Sequence, residues 1–119
     1  MKQQASGNGK SLTPAAIQIL LSLSDGDLHG YGIKLDIEQR TDGGVSLGSG
    51  TLYEAIQRLE RDGLVAEAAS REKEETARKR RYYRLTDTGR QGLERELAAL
   101  DQIVSYARSR DLIPDSRPA

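Results

Sequence analysis

Residues 48–65, GSGTLYEAIQRLERDGLV, open on a small, flexible triplet and pass at once into an amphipathic helix pattern. Leu52, Ile56 and Leu59, with Ala55 beside them, recur at i, i+4 and i+7 and define one apolar face. Thr51, Glu54, Gln57, Arg58 and Arg61 point away from that face. Gly63 stands where helices commonly stop, so the pattern predicts a helix over Ser49–Asp62. Its start raises the question on which function turns, because Gly48, Ser49, Gly50 and Thr51 offer a core almost nothing. Ser49 and Thr51 suit an ordinary N-cap. They equally suit a helix start kept small so that an anionic partner can approach the free N–H groups. Taken alone, the stretch leaves both readings open.

Upstream, SLTPAAIQILLSL predicts a first helix with Thr13 as N-cap and Pro14 at the first helical position. Ile17, Leu20, Leu21 and Ser24 mark its stripe, broad enough to be mostly buried. A second short helix is predicted over Tyr31–Thr41, where Ile33 and Ile37 repeat at i and i+4. In the following loop Val45 and Leu47 alternate and could make a minimal strand. Downstream, LVAEAA and the alternating RRYYRLT predict two strands joined by a charged loop. Thr86 then caps a last helix in which Leu93, Leu97, Leu100, Val104 and Ala107 recur at spacings of four and three, a narrow, heptad-like apolar seam beyond the globular unit.

Three helices followed by a two-stranded ribbon describe a winged helix-turn-helix. The fold class expected is mainly α with a small β-ribbon, a winged helix-turn-helix plus a C-terminal dimerisation helix. Residues 1–11 read as a flexible arm, 12–85 as the DNA-binding domain, 86–109 as the dimerisation helix and 110–119 as a tail. Such a fold sets the N-terminal part of its third helix against base edges in the major groove.

Composition narrows the function. With 119 residues, no Cys, no Phe and no Trp, the chain has room for one modest core of Leu, Ile, Val and Ala. The lack of cysteine excludes disulfides, thiolate nucleophiles and cysteine-ligated metal. No leader or membrane-spanning run is evident, so a soluble cytoplasmic chain is expected. Eighteen basic and eighteen acidic side chains cancel, and net charge gives a nucleic-acid partner no support. Distribution does. RKRRYYR, residues 78–84, packs five Arg and Lys residues around two tyrosines, a composition suited to phosphate contact, though a solvated charge run reads the same way.

Other features are weaker. His29 is the only histidine and suits a structural role better than catalysis. The glycines around GYG follow no strand and lack a Walker lysine. Asp25 and Asp27 read as turn and cap residues. Nothing resembles an active site, so no enzymatic activity, metal or cofactor is expected. Tyr31 and Tyr53 each lie beside a helix start, where each could pack on the other's helix or reach a phosphate.

LTPAAIQILLSL, LHGYGI, GSGTLYEAIQRLERDGLV and RRYYRLTDTG, in that order, resemble the PadR family of bacterial transcriptional regulators over residues 12–107, specifically its short-chain members. The resemblance implies a winged-helix homodimer that binds double-stranded operator DNA, usually as a repressor. It places the family's helix-turn-helix tyrosine on Tyr31 and its recognition-helix start on Gly50, Thr51, Leu52 and Tyr53. The wing basics and tyrosine fall within Arg80, Arg81, Tyr82, Tyr83 and Arg84. This chain departs from the family in the wing, where EETARKR replaces the usual Gly-Arg-Pro-like turn. Some members sense aromatic ligands, for which a chain with Tyr as its only aromatic type is poorly supplied, and no effector can be named.

The DNA-contacting residues expected are therefore Tyr31, Ser49, Gly50, Thr51, Tyr53, Glu54, Gln57, Arg58, Arg61, Lys79, Arg80, Arg81, Tyr82, Tyr83 and Arg84. Leu93, Leu97, Leu100, Val104 and Ala107 are expected to form the dimer interface. On this reading, replacing Arg80 and Arg81 flattens the salt dependence of DNA binding, and lysine at Leu97 and Leu100 gives monomers. The alternative is a winged-helix module that binds an acidic protein, since the fold alone does not imply DNA.

Overall fold

The computed structural model describes residues 11–69 and 80–114. The expected arm up to residue 10, the charged loop with Lys79, and the last five residues lie outside the described residues. The element order is α1 (Pro14–Leu23), β1 (Leu28–His29), α2 (Gly30–Arg40), α3 (Ser49–Arg61), β2 (Val65–Ala68), β3 (Tyr82–Leu85) and α4 (Asp87–Ser109). The chain is a winged helix-turn-helix, mostly helical, with a small antiparallel sheet in the order β1-β3-β2.

Local sequence accounts for most boundaries. Thr13 accepts a hydrogen bond from the Ala16 N–H, and Pro14 occupies the first turn, where its missing donor costs nothing. Thr86 caps α4 by accepting from the Gly89 N–H at 2.9 Å. Three helices end alike. Beyond α2, α3 and α4 the chain turns through a left-handed residue, Asp42, Gly63 or Asp111, and the next N–H returns to a carbonyl of the last turn. Glycine is cheapest there, but aspartate is tolerated because its short polar side chain can bond locally.

The core joins Ile19, Leu20 and Leu23 of α1, Ile33 and Ile37 of α2, and Leu52, Ile56 and Leu59 of α3, closed by Leu64, Val65, Tyr83 and Leu93. The α3 face is the one the spacing predicts. The α1 face is rotated: Ala16, Ile19, Leu20 and Leu23 are buried, whereas Ile17 and Leu21 are only half-buried. That helix is apolar nearly all round, so periodicity could not orient it. At the far end of α2, Arg40 reaches α1, donating to the Gln18 side chain and carbonyl and to buried Ser22. This fixes the first two helices against each other.

Two elements differ from expectation. Val45 and Leu47 form no strand; half-buried, they plug the core from a loop built on Thr41, whose hydroxyl donates to the Ile37 carbonyl and accepts from the Val45 N–H. Conversely, Leu28 and His29 form the strand β1 on the outer edge of β3, with Leu28 opposite Tyr83 and His29 opposite Tyr82. Two residues are too few to show alternation.

Candidate nucleic-acid interface

The start of α3 resolves the question raised by its small residues. The N-cap is Gly48, with no side-chain hydrogen bond, whereas α1, α2 and α4 are all capped by side chains. Ser49 and Thr51 are therefore not caps. Both lie inside the first turn, and neither hydroxyl caps the helix. The first helical hydrogen bond runs from Leu52 N–H to the Gly48 carbonyl, and Ser49, Gly50 and Thr51 are exposed. A side chain built on Gly48 or Gly50 would meet nothing of the protein within 4 Å. Internal packing thus does not require glycine at either position.

Around this end stand the two tyrosines, both exposed. Of the alternatives for Tyr53, packing is realised: its ring lies so close over Gly30, the first residue of α2, that a Cβ there would overlap the phenol oxygen. Tyr53 still keeps 42% of its surface exposed, and Tyr31 keeps 56%. Gly30→Ala should push the flexible Tyr53 ring aside while the backbone stays in place. Ring-proton shifts of Tyr53 identical to those of the unaltered protein would contradict this packing.

Farther along α3, Glu54 and Gln57 are exposed on its outer side. Arg58 and Arg61, also exposed, border a cleft shared with Leu12 and Thr13 at the start of α1 and with Arg95 and Glu96 of α4. This cleft lies on the side of α3 that faces α1 and α4.

His29 organises the junction of helix and wing. Its Nδ1 accepts from the Gly32 N–H at 2.9 Å and so caps α2. Its ring meets Tyr82 edge-on with centroids 5.2 Å apart, and its Nε2 lies 3.4 Å from Arg80 Nη1. The structural role expected of this histidine is an N-cap, legible only once β1 is known to precede α2.

Along β3 the strand alternation sorts the wing residues. Arg80, Arg81 and Arg84 are exposed and Tyr82 is half-buried. Tyr83 is 2% exposed and belongs to the core, which corrects its expected place among DNA contacts. Burial pushes its hydroxyl pKa up. Arg81 lies over the Tyr83 ring, 5.3 Å from its centroid, and donates to Glu60 of α3 and Glu67 of β2, at 3.1 Å each. Hydrogen bonding to Glu67 above all raises the pKa of its guanidinium. Sequence reasoning missed both carboxylates, although Glu67 stands opposite Tyr83 once the strands are paired.

The seam on α4 is divided. Leu93 is buried and Leu97 packs half-buried against the core, which removes Leu93 from the expected dimer interface. Leu100 is exposed beyond them, with Val104 and Ala107 half-buried. Ile103 and Tyr106, neither counted in the seam, are 63% and 66% exposed. Ile103 lies three residues beyond Leu100, a spacing that could have found it.

Among the described residues there is no group of His, Asp and Glu able to hold a metal, and no helix is long and apolar enough to cross a membrane. Residues 19–95 match the model of the transcriptional regulator PadR-like family. The chain is 43% identical over 89 residues to an uncharacterized 37.1 kDa protein in transposon TN4556 of Streptomyces fradiae, covering 75% of this chain and 24% of that protein. It thus spans about a quarter of that relative's length. It is 32% identical to Transcriptional regulator Rv3488 of Mycobacterium tuberculosis, over 73% of this chain and 76% of the relative. Among solved structures, Bacillus subtilis PadR in complex with operator DNA is similar in fold, with a TM-score of 0.64 at 24% identity, over 74% of this chain and 48% of that one.

Proposed function

The chain belongs to the PadR-like family of transcriptional regulators, and from that premise we propose that it is a homodimeric repressor whose α3 enters the major groove of an inverted-repeat operator. The observation that carries this reading is the open start of α3. Its N–H groups have no side-chain cap, its glycines face empty space, and two exposed tyrosines stand beside it. Orphan N–H groups at the positive end of a helix dipole attract a phosphate. Without side chains on Gly48 and Gly50, the duplex can approach the backbone. The operator complex of the similar Bacillus subtilis protein supports the same use of the fold.

In this reading Ser49, Thr51, Tyr31 and Tyr53 meet the backbone near the helix start, and Glu54 and Gln57 face the bases. Arg84 holds flanking phosphate from the outer side of the wing. The exposed apolar face of α4 pairs two protomers, so half-sites lie about one helical turn apart, or a multiple of it.

Gly50→Leu separates function from folding. The site is open, and leucine suits a helix better than glycine, so thermal stability should hold or rise slightly. Affinity for the DNA upstream of the protein's own gene should fall at least about tenfold, because the side chain keeps the helix off the duplex. Unchanged affinity in a folded variant would refute the docking of α3. Gln57→Ala should instead shift the preferred base at one position, by roughly 1–3 kcal/mol; an identical selected site in the variant counts against base contact by Gln57. If the unaltered protein binds no duplex but captures an acidic protein, the protein-binding alternative replaces this one.

A further inference from the structure

We propose that Arg81 is a positioning residue that locks the wing to the recognition helix, not a cation that meets DNA. The inference rests on the DNA-binding reading above and assigns one of its expected contacts a different task. Arg81 immediately precedes β3 and is partly exposed, yet its guanidinium is engaged by the protein itself. Through one nitrogen, Nη2, it reaches Glu60, near the C-terminal end of α3, and Glu67, on the neighbouring strand. Its Cζ lies over the ring of Tyr83, a residue that is itself in the core. Three elements, α3, β2 and β3, therefore converge on one side chain.

Charge strengthens the assignment. Two carboxylates surround one guanidinium, so the cluster carries a net negative charge and presents no surplus cation to a phosphate. Drawing Arg81 out to DNA would leave Glu60 and Glu67 facing each other without their cation, near a polyanion. Arg84, two residues beyond Tyr82, behaves differently: it is exposed, opposite Ala66 on β2, and has no ion pair among the described residues. The wing basics thus divide by strand phase and by partner. Arg84 is set to touch phosphate, while Arg81 holds the angle between wing and helix.

That angle governs whether the wing and the start of α3 engage the same duplex together. A positioning residue therefore acts on sequence-specific binding, where both elements must fit, and spares loose electrostatic association. A phosphate contact weakens both alike when removed and contributes about 0.9 to the slope of log affinity against log salt.

The experiment measures binding of the full chain to two duplexes over a salt series: the DNA upstream of its own gene, and a scrambled duplex of equal length. Arg81→Ala should weaken the first by roughly three- to tenfold, as expected for two partly exposed ion pairs and a ring contact. It should leave the second, and both salt slopes, unchanged. Arg84→Ala should lower binding to both and flatten both slopes by about 0.9. The double change Arg81→Glu with Glu60→Arg preserves the cluster's charges, with the introduced arginine between two carboxylates. It should recover most of the affinity that Arg81→Glu alone loses.

A flatter slope in Arg81→Ala, or equal loss on both duplexes, overturns the proposal. So does failure of the charge exchange to rescue, provided circular dichroism shows the doubly altered protein folded. If that protein is unfolded, the Arg81→Ala slopes decide by themselves. Should the unaltered protein bind neither duplex, the DNA-binding reading fails first and this role falls with it, a result visible before any variant is made.

Discussion

On the proposed homodimer, replacing Ile103 and Tyr106 together with lysine should give a folded monomer and lower affinity for the proposed operator by about a hundredfold or more. Both side chains are mostly exposed in the single protomer, so neither supports its core. With Leu100 they form an apolar surface on the part of α4 that extends past the buried Leu93. Apolar surface of this kind on a helix is commonly covered by a partner. Two lysines would bring uncompensated charge to the same face of each copy and oppose pairing. Once the second half-site is no longer tethered to the first, the gain of roughly 10²–10⁴ from linking two binding events is lost. Sedimentation equilibrium checks the first step and binding to the full and half operator checks the second. A double mutant that remains dimeric would remove this face from the interface. The pair expected from spacing alone, Leu97 and Leu100, is a poorer test: Leu97 packs against the core, and lysine there would confound unfolding with dissociation.

Gly89→Ala should cost about 1–3 kcal/mol of stability, because among the described glycines this is the one whose added methyl group would run furthest into backbone. A Cβ on Gly89 would overlap the Leu64 carbonyl oxygen and come within 2.9 Å of Leu85 Cδ1. The carbonyl cannot easily yield. It accepts from the Thr86 N–H at 3.1 Å, while the Thr86 hydroxyl donates to the adjacent Gly63 carbonyl at 2.7 Å. Leu64 and Val65 are buried on either side of that peptide group. The start of α4 must therefore lift from β2, opening the core at Leu93. Better helix propensity of alanine offsets only about 1 kcal/mol. Gly92→Ala is the matched control. Only the Arg95 guanidinium, at 3.8 Å, would lie near its Cβ, so the change should stabilise by up to about 1 kcal/mol. Denaturant unfolding of the two variants gives the comparison; equal stabilities would show that the approach of α4 to β2 is not close.

Most of the scaffold is readable in the sequence alone, because its signals are local. Thr13 with Pro14, Thr86 and Gly63 mark helix ends through hydrogen bonds spanning only a few residues. The period of Leu52, Ile56 and Leu59 identifies a face without knowing what covers it. Local signals also have a known reach. They could not orient α1, whose apolar residues surround it, nor detect β1, which is two residues long and a strand only because β3 lies beside it.

The candidate site was legible as a neighbourhood and not as a set of contacts. Gly48, Ser49, Gly50 and Thr51 stand out in the sequence by their size, but their place in the helix decides that none of their side chains caps it. Arg58 and Arg61 were grouped with Gln57 by pointing away from the core, yet they border the cleft toward α4. Tyr82 and Tyr83 look equivalent in RRYYR; strand phase sends the second into the core.

What the sequence determined by itself is the succession of the four helices and the β2–β3 ribbon, the winged helix-turn-helix they build, and the family to which the chain belongs. Caps, turns and periodic faces act over one or two helical turns, so adjacent residues suffice to specify them. What only the tertiary structure decided is the allocation of side chains among core, latch and open surface: Tyr83 and Leu93 inward, Arg81 onto Glu60 and Glu67, Ile103 and Tyr106 left uncovered. Such outcomes depend on residues distant along the chain; for Arg81 they lie 14 and 21 positions away, brought to 3.1 Å by strand pairing and helix packing. A charge or an aromatic ring acquires its task from the neighbour it meets, and that neighbour is chosen by the fold.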